Sequence, residues 1–535
     1  MKKIYMNNRN YQPIIYSIIL IFGLIAGHYW IHDHENSIAK VFQDDRYNSQ
    51  IPKNLPQFYE NRLKTNAILQ LLEENYVDGF DLEQYEEAIL KSIMKELDPH
   101  SNYIPKKEQT YLEEDMQGSF SGVGIEFNII EDSLVVVSPI SGGPSERLGI
   151  LSGDRIVEVD GKNIASVGLT NQDVVEKLRG EKESKVHIKI YRKGNKNLKD
   201  YTIERGDIPI YSVDAFFMID DEIGYIKVNR FSSTTNQEFE EGANKLLSKG
   251  MEKLILDLRG NPGGYLGSAL SMCNEFLEEG ELIVYTEGKY RSKEEYFSDE
   301  DGRLKQIELA ILINQGSASA SEIVSGCMQD LDRGIIIGDR SFGKGLVQEE
   351  IKLADGSAVR LTTQRYYMPS GRSIQKPYGN SKSEYNLEHY IRDNNKVLEV
   401  PDSLKYTTKN GRIVFGGGGV TPDSIIFLDT TLNYTKINQL RRKNWVSEFS
   451  FQYQSRVNKS KGYDFLDNEL IYSEFKNYVE RKNSKFDLTM GKKEERYLKI
   501  FIKATIAKNI WDKNIYFKIL SEDDEYILKA VQVLD

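Results

Sequence analysis

The sequence predicts a multidomain α/β protein, with a β-rich module inserted ahead of an alternating strand–helix domain, a helical module before them and a helical extension after. Three observations carry that prediction. At 535 residues the chain is too long for one hydrophobic core. From residue 206 to 430, strand-like apolar runs alternate with helical stretches, as crossover units around a largely parallel sheet require. From 118 to 205 the texture changes to short strands separated by glycine turns.

The elements follow in chain order. Lys2, Lys3 and Arg9 lie in a basic segment, 1–12, ahead of the uncharged run PIIYSIILIFGLIAGHYWI from Pro13 to Ile31. As a helix this run would span roughly 28 Å, close to a bilayer core. The basic flank stays cytoplasmic, so 13–31 is expected to be a single-pass transmembrane anchor in the inner or cell membrane. Everything beyond His32 is then extracytoplasmic, or periplasmic. A cleaved signal peptide is the competing reading, but no A-x-A site follows and the run is long for one. Residues 32–57 are polar and irregular, and read as a stalk.

Residues 58–117 turn helical. Leu63, Ile68, Leu71 and Leu72 fall near i, i+3/i+4 spacings, and LEQYEEAILKSIMKEL continues the habit until LDPHSNYIP breaks it at Pro99. The apolar face suits another domain or a second copy of the chain, as in a homo-oligomer. In the β-rich module, GVGIEFNIIEDSLVVVSPI gives two strands about the turn at Glu131–Asp132–Ser133. SGDRIVEVDGKNI supplies a third, NQDVVEKLRG a helix and KVHIKIYRKG a closing strand. Beyond Ile208, GYIKVNRF, KLILDLRG, LAILIN and RGIIIGD read as strands, with helices through FEEGANKLLSKG, SALSMCNEFLEEG and SEIVSGCMQDL between them. Residues 431–535 are mostly helical and rich in lysine and tyrosine, and point to no chemistry.

Composition excludes several classes. A net charge of -11 leaves no excess of phosphate-binding cations, so nucleic acid is not an expected partner. The two cysteines, Cys273 and Cys327, form no CxxC pair, which removes paired-cysteine zinc sites; buried free thiols and a mutual disulfide both stay open. With no ligand cluster, neither a metal nor an organic cofactor is expected. The histidines are His28, His32, His34, His100, His187 and His389, so none lies between 206 and 380.

Two constellations carry chemistry. Gly122-Val123-Gly124-Ile125 opens a strand, and such a turn leaves consecutive N–H groups to hold an anionic chain terminus while the strand pairs with an incoming peptide. The second is ILINQGSASASEIVSGCMQDLDRGIIIGDRSFGKGLVQ, where Ser317, Ser319 and Ser321 lie between a strand and a helix. Any of them can cap that helix, and Ser319 with Glu322 fits a capping box. A strand-to-helix turn also suits a nucleophile with N–H groups behind it. No histidine in this region can serve as its base. Lys344 is the candidate, provided burial lowers its pKa, with the neutral Gln348 to orient the amine. Gly338 to Lys344 also matches most of a phosphate-binding loop, but Gly345 replaces the Ser or Thr that would hold magnesium and strand-like sequence follows.

GSASASE, FGKGLVQ, the upstream DLRGNPGG at Asp257–Gly264, LTTQRYYMPSGRSIQ at 361–375 and GGGGVTPD at 416–423 together resemble the C-terminal processing peptidase, or tail-specific protease, family. The resemblance covers roughly 58 to 430, with a PDZ domain at 118–205. It implies a serine endopeptidase with a protease domain at 206–430 related to crotonase and ClpP-type α/β layers. It also implies Ser319 as nucleophile, Lys344 as general base and Gln348 in support. The oxyanion donors are expected at Ala320 and in the NPGG loop at Gly263, with Gly264 as the alternative. Asp330 matches a position read as structural. Arg179 matches one implicated in passing PDZ occupancy to the protease site. Protein or peptide substrates with free C-termini are the implied partners. A PDZ scaffold with a silent protease domain is the rival reading.

Overall fold

A computed structural model describes residues 55–378, 382–391, 400–426 and 433–535. The expected anchor at 13–31 lies outside them, with 1–12 and most of the stalk. Among the described residues no helix is long and apolar enough to cross a membrane. The chain forms two compact units, one up to Ala88 and one from Ile89 onward. In the first, α1 (Leu55–Asn75) leaves Ile68 and Leu71 exposed. Helix α2 (Leu82–Lys95) then leads into the second unit, where β1 (Asn102–Ile104) and α3 (Lys106–Gln117) follow. The strand β1 lies in the LDPHSNYIP break; it forms because Asn102, Tyr103 and Ile104 pair with Arg360, Val359 and Ala358.

The β-rich module contains β2 (Ser119–Gly122), β3 (Ile125–Ile129), β4 (Leu134–Pro139), α4 (Pro144–Arg147), β5 (Arg155–Val159), β6 (Lys162–Asn163), α5 (Asn171–Leu178), β7 (Lys185–Tyr191) and β8 (Lys199–Glu204). Its antiparallel sheet runs β3-β4-β5-β7-β8, with β6 on β5, so β3 is an edge strand. Inward residues of the strands, such as Leu134, Val136, Ile156, Ile188 and Ile190, bury against Val174 and Leu178 of α5. A capping box between Thr170 and Asp173 starts that helix. The module extends past the expected boundary at Arg205, because β9 (Gly206–Pro209) pairs with β2 to close its stem.

The alternating domain contains β10 (Val213–Met218), β11 (Ile223–Val228), α6 (Thr235–Leu247), β12 (Lys253–Asp257), α7 (Leu266–Asn274), β13 (Leu282–Gly288), β14 (Arg291–Phe297), β15 (Glu308–Ile313), α8 (Ala320–Asp330) and β16 (Ile335–Gly338). After these come β17 (Leu346–Lys352), β18 (Ala358–Tyr367), α9 (Lys382–Ile391), β19 (Lys405–Thr407), β20 (Ile413–Phe415) and β21 (Ser424–Ile425). The main sheet has the order β10-β11-β12-β15-β16-β21, parallel except for β10. Two-residue alternation splits its side chains: Leu254, Leu256, Ile311 and Ile313 face α6, α7 and α8, while Ile255, Ala310 and Leu312 face the opposite side. A second sheet, β1-β18-β13-β14 with β17 on β18, was not legible as strands around 282–297.

The extension consists of α10 (Thr435–Arg442), α11 (Trp445–Gln454), α12 (Asn468–Lys482), α13 (Lys492–Ile510), α14 (Lys513–Ser521) and α15 (Glu525–Leu534). Its own core gathers Val446, Phe449, Phe475, Val479, Leu498, Ile502 and Ile506. Helix α15 does something else: Ile527, Ala530 and Leu534 cover the Ile255–Ala310–Leu312–Ile337 face of the main sheet. That face would otherwise be an exposed apolar sheet. We therefore expect Ile527→Ala to destabilise the fold by about 2–5 kcal/mol. Leu528→Ala, at an exposed neighbour, should stay within about 0.5 kcal/mol. Chemical unfolding midpoints of the two variants check this, and equal midpoints would contradict the packing role.

Candidate active site

Ser319 occupies the residue before α8, with φ 56° and ψ -115°. Such a backbone costs an L residue about 1–3 kcal/mol, so its surroundings must enforce it. Glu322, fully buried in the first turn of α8, accepts the Ser319 N–H at Oε2 (2.8 Å). The same oxygen accepts the Lys344 N–H (2.8 Å), while Oε1 accepts the Gly343 N–H (2.7 Å) and the Ser341 hydroxyl (2.5 Å). Burial pushes the Glu322 carboxyl above its ordinary pKa, and these donors oppose that shift. On the carbonyl side, the Tyr366 hydroxyl lies against Ser319 O (3.2 Å) and Lys344 O. One buried carboxylate and one buried phenol thus fasten the Ser319 turn to the Lys344 loop.

The neighbouring serines are engaged elsewhere. Ser317 Oγ donates to Leu258 O (2.8 Å) and Ser321 Oγ to Asn261 O (2.9 Å), tying the turn to the DLRGNPGG loop. Ser319 is only partly buried. The capping and nucleophile readings left open by sequence are therefore compatible, since Glu322 supplies its half of the cap without using the Ser319 hydroxyl.

Lys344 Nζ donates to Gln348 Oε1 (2.7 Å), and Gln348 Nε2 donates to the His100 carbonyl (2.8 Å). A carbonyl only accepts, so it fixes which end of the amide faces the lysine. Sequence reasoning missed this partner, having read LDPHSNYIP only as a helix break. The turn is pinned by Asp98, which accepts from His100 N (2.8 Å), Ser101 N (2.9 Å) and Thr362 Oγ1 (3.1 Å). Burial pushes the Lys344 amine down to about 8, and the Arg360 guanidinium adds to that; Glu322 and Asp98 act in the opposite direction. Among the described residues no hydrogen bond joins Ser319 Oγ to Lys344 Nζ, which is engaged by Gln348. After Lys344 comes the strand β17 rather than a helix, so the phosphate-loop reading finds no helix N-terminus.

The Ala320 N–H has no acceptor among the described residues. Gly263, the expected second oxyanion donor, gives its N–H to Asn261 Oδ1 (2.9 Å), whereas the Gly264 N–H has no such partner. In this loop the N–H without an acceptor among the described residues is therefore that of Gly264. What Gly263 contributes is room: a Cβ there would lie 2.8 Å from Ser319 Cβ and 2.9 Å from Ala320 N. Asp330, read as structural, forms a fully buried ion pair with Arg372 (2.8 Å). Cys273 and Cys327 are buried free thiols.

At the Gly122–Ile125 turn, Gly122 pairs in β2 and Ile125 begins β3. The N–H groups of Val123 and Gly124, between the two strands, have no acceptor among the described residues. Arg179, at the end of α5, reaches Glu114 of α3 (3.0 Å) and lies over the Phe120 ring at 3.9 Å. Helix α3 also binds strand β17, through Gln109–Glu350 (2.5 Å) and Lys352–Glu113 (2.5 Å).

Residues 222–382 match peptidase family S41 and residues 135–192 match a PDZ domain. A probable CtpA-like serine protease of Staphylococcus aureus (strain N315) is 34% identical over 316 residues, covering 59% of this chain and 62% of that one. Its counterpart in Staphylococcus aureus (strain bovine RF122 / ET3-1) is 30% identical over 377 residues, 70% of this chain and 72% of the other. The carboxy-terminal processing protease CtpB of Bacillus subtilis (strain 168) is 32% identical over 316 residues, 58% and 65% of the two chains. The likeness thus spans less than two thirds of the first of these relatives.

Glutamine at position 322 would place an NH2 group where one of two acceptors stands, leaving buried donors unmatched. Each such group costs about 1–3 kcal/mol, so Glu322→Gln should lower the unfolding midpoint clearly. An exposed control, Glu308→Gln, should change it by under about 0.5 kcal/mol. Thermal melts compare the two, and an unperturbed Glu322→Gln would remove the fastening role.

Proposed function

Because the chain belongs to the PDZ-containing C-terminal processing peptidases, we propose that it is a serine endopeptidase in which Ser319 is the nucleophile and Lys344 its general base. The observation that carries this reading is the shared fastening on Glu322 Oε2, which brings the strained Ser319 turn and the Lys344 loop together. Ser319 Oγ adds to the peptide carbonyl carbon as its proton passes to Lys344 Nζ. The developing oxyanion takes the N–H groups of Ala320 and Gly264. Lys344 then returns the proton to the leaving amine as the C–N bond breaks, giving an acyl-enzyme. Water attacks the ester, again with Lys344 accepting its proton, and releases the carboxylate product with Ser319 restored. In the resting arrangement the amine is parked on Gln348, and the Ser–Lys contact forms as substrate settles. The mixed α/β catalytic domain is read as a relative of crotonase and ClpP-type layers.

The PDZ module is proposed to capture C-terminal tails, with the Val123 and Gly124 N–H groups receiving the carboxylate and β3 pairing with the tail. Arg179, set between α5 and α3, is proposed to pass occupancy toward β17. The run 13–31 is proposed to anchor the protein with its catalytic part outside the cytoplasm. The exposed Ile68 and Leu71 of α1 offer an apolar face to a second copy.

A lysine of ordinary pKa is neutral in about one molecule per thousand at pH 7.4. With the amine pushed down to about 8, roughly one in five is neutral at that pH. Deprotonation creates the base, so kcat/KM should rise with pH, reach half its plateau near 8, and stay high above it. Lys344→Arg should be inactive, because guanidinium stays protonated. Ser319→Ala and Lys344→Ala should each abolish cleavage of unstructured peptides, and the double variant should be no worse. Mass analysis of products across pH tests these together; an active Lys344→Arg would end the mechanism. If Ser319 stays unmodified by a serine-directed phosphonate while peptides still bind, the chain is a PDZ scaffold instead.

Capture has its own test. Amidating the C-terminus of a bound peptide should weaken binding at least about tenfold, as expected for losing one charge-assisted cradle. Equal affinity of acid and amide, measured by calorimetry, would leave the Val123–Gly124 turn without this role.

A further inference from the structure

The C-terminal extension reaches the open edge of the PDZ sheet, and the hairpin register shows which groups it meets there. Ile130 and Ser133 exchange both backbone hydrogen bonds (2.9 and 3.1 Å) across the β3–β4 turn. Pairing in antiparallel strands alternates, so Ile129 and Phe127 turn their N–H and C=O groups away from β4. The partner strand agrees, since Val136, opposite Phe127, bonds instead to Asp154 and Gly153. These outward groups belong to the strand that would pair with a peptide.

A tail whose carboxylate sits at Val123 and Gly124 must run antiparallel to β3. Opposite residues advance together, so Phe127 meets about the third residue from the tail's end and Ile129 about the fifth. At that last position Asn444, just before α11, points its Nδ2 at Ile129 O (3.5 Å). Beside it Lys508 of α13 pairs with Glu126 of β3 (2.5 Å), and Lys482 of α12 lies 3.7 Å from Glu131 in the turn.

The two grips of the extension differ in kind. On the protease sheet it is apolar and buried, through Ile527, Ala530 and Leu534. Toward the PDZ module the bonds are polar and partly exposed, and the buried clusters of the two share no residue. Exposed ion pairs of this sort contribute little and are screened by salt. One end of the bridge is thus fixed and the other releasable.

We propose that the extension is a latch on the PDZ groove: Asn444 takes the edge position of a captured tail's fifth residue, and a longer pairing requires parting Asn444 from Ile129 and Lys508 from Glu126. This rests on the PDZ module being a C-terminus binder. The latched chain reads about four residues, and substrate reaching further along β3 opens it.

The test uses the full chain and two acetylated peptides with free carboxylates, four and ten residues long, sharing their last four residues. Asn444 has φ 57°, so Asn444→Gly removes the side chain without new strain; it is combined with Lys508→Glu. In the unaltered protein the longer peptide should bind within about twofold of the shorter one. In the variant it should bind about tenfold more tightly, with the short peptide unchanged. Adding Glu126→Lys to Lys508→Glu, with Asn444 intact, should restore the original ratio. A ten-residue peptide that binds the unaltered protein as tightly as the variant overturns the latch, as does an equal gain for both lengths. Absence of binding by either peptide, whether acid or amide, would instead take down the PDZ reading and the latch with it.

Discussion

The buried carboxylate of Glu322 is the constraint on which the site depends. Its two oxygens receive the N–H groups of Ser319, Gly343 and Lys344 and the hydroxyl of Ser341. These donors come from two loops that follow neighbouring strands, β15 and β16, of the parallel sheet. Loops at the carboxyl ends of adjacent parallel strands emerge side by side, which is why such a sheet can bring them together. Proximity alone would not set their register. Glu322 does, because each lone pair must find a donor once water is excluded.

That arrangement creates an electrostatic conflict. A negative charge near Lys344 favours the ammonium, and Asp98 pulls the same way, whereas a general base must shed its proton. Burial is the larger influence and Arg360 reinforces it, so the amine is pushed down to about 8 in spite of both carboxylates. Gln348 fits this logic. An amide oxygen orients the amine without adding charge, and the His100 carbonyl prevents the amide from turning its NH2 toward Lys344. A glutamate at that position would have undone what burial achieves.

The parts of this design differ in how far the sequence reveals them. Strands such as KLILD and LAILI were legible because burial on both faces leaves continuous apolar runs. Ser319, Lys344 and Gln348 were legible through family motifs. Glu322 was legible only as a local capping residue; its partners near 341–344 lie about twenty positions away, and an acidic residue in a first turn normally faces solvent. The His100 carbonyl carries no signature at all, since every residue has one. That the Gly263 N–H is taken rests on its bond to the Asn261 side-chain oxygen, which no spacing announces. Strand β14 escaped notice because most of its polar residues face solvent, and β13 because its partner β18 is remote in sequence.

The extension looked featureless in sequence because its contribution is made from behind the site. Asp524 binds Arg259 (2.9 Å), in the loop that leads to Gly263 and Gly264. Two residues later Tyr526 donates to Asp339 (2.6 Å), at the start of the loop that carries Lys344. The Tyr526 ring also lies 4.8 Å from the Arg259 guanidinium, joining the two contacts into one cluster. A single helix start therefore supports both the loop of Gly263 and Gly264 and the loop of Lys344. The same extension touches the PDZ edge through Lys508 and Asn444, so one run of helices contacts both the PDZ sheet and the loops around Ser319 and Lys344. Rigidity is needed on the protease side, where a displacement of about 1 Å can cost a factor of a hundred in rate. It is not needed at the PDZ edge, and there the contacts are the weak, solvent-exposed kind that substrate can replace.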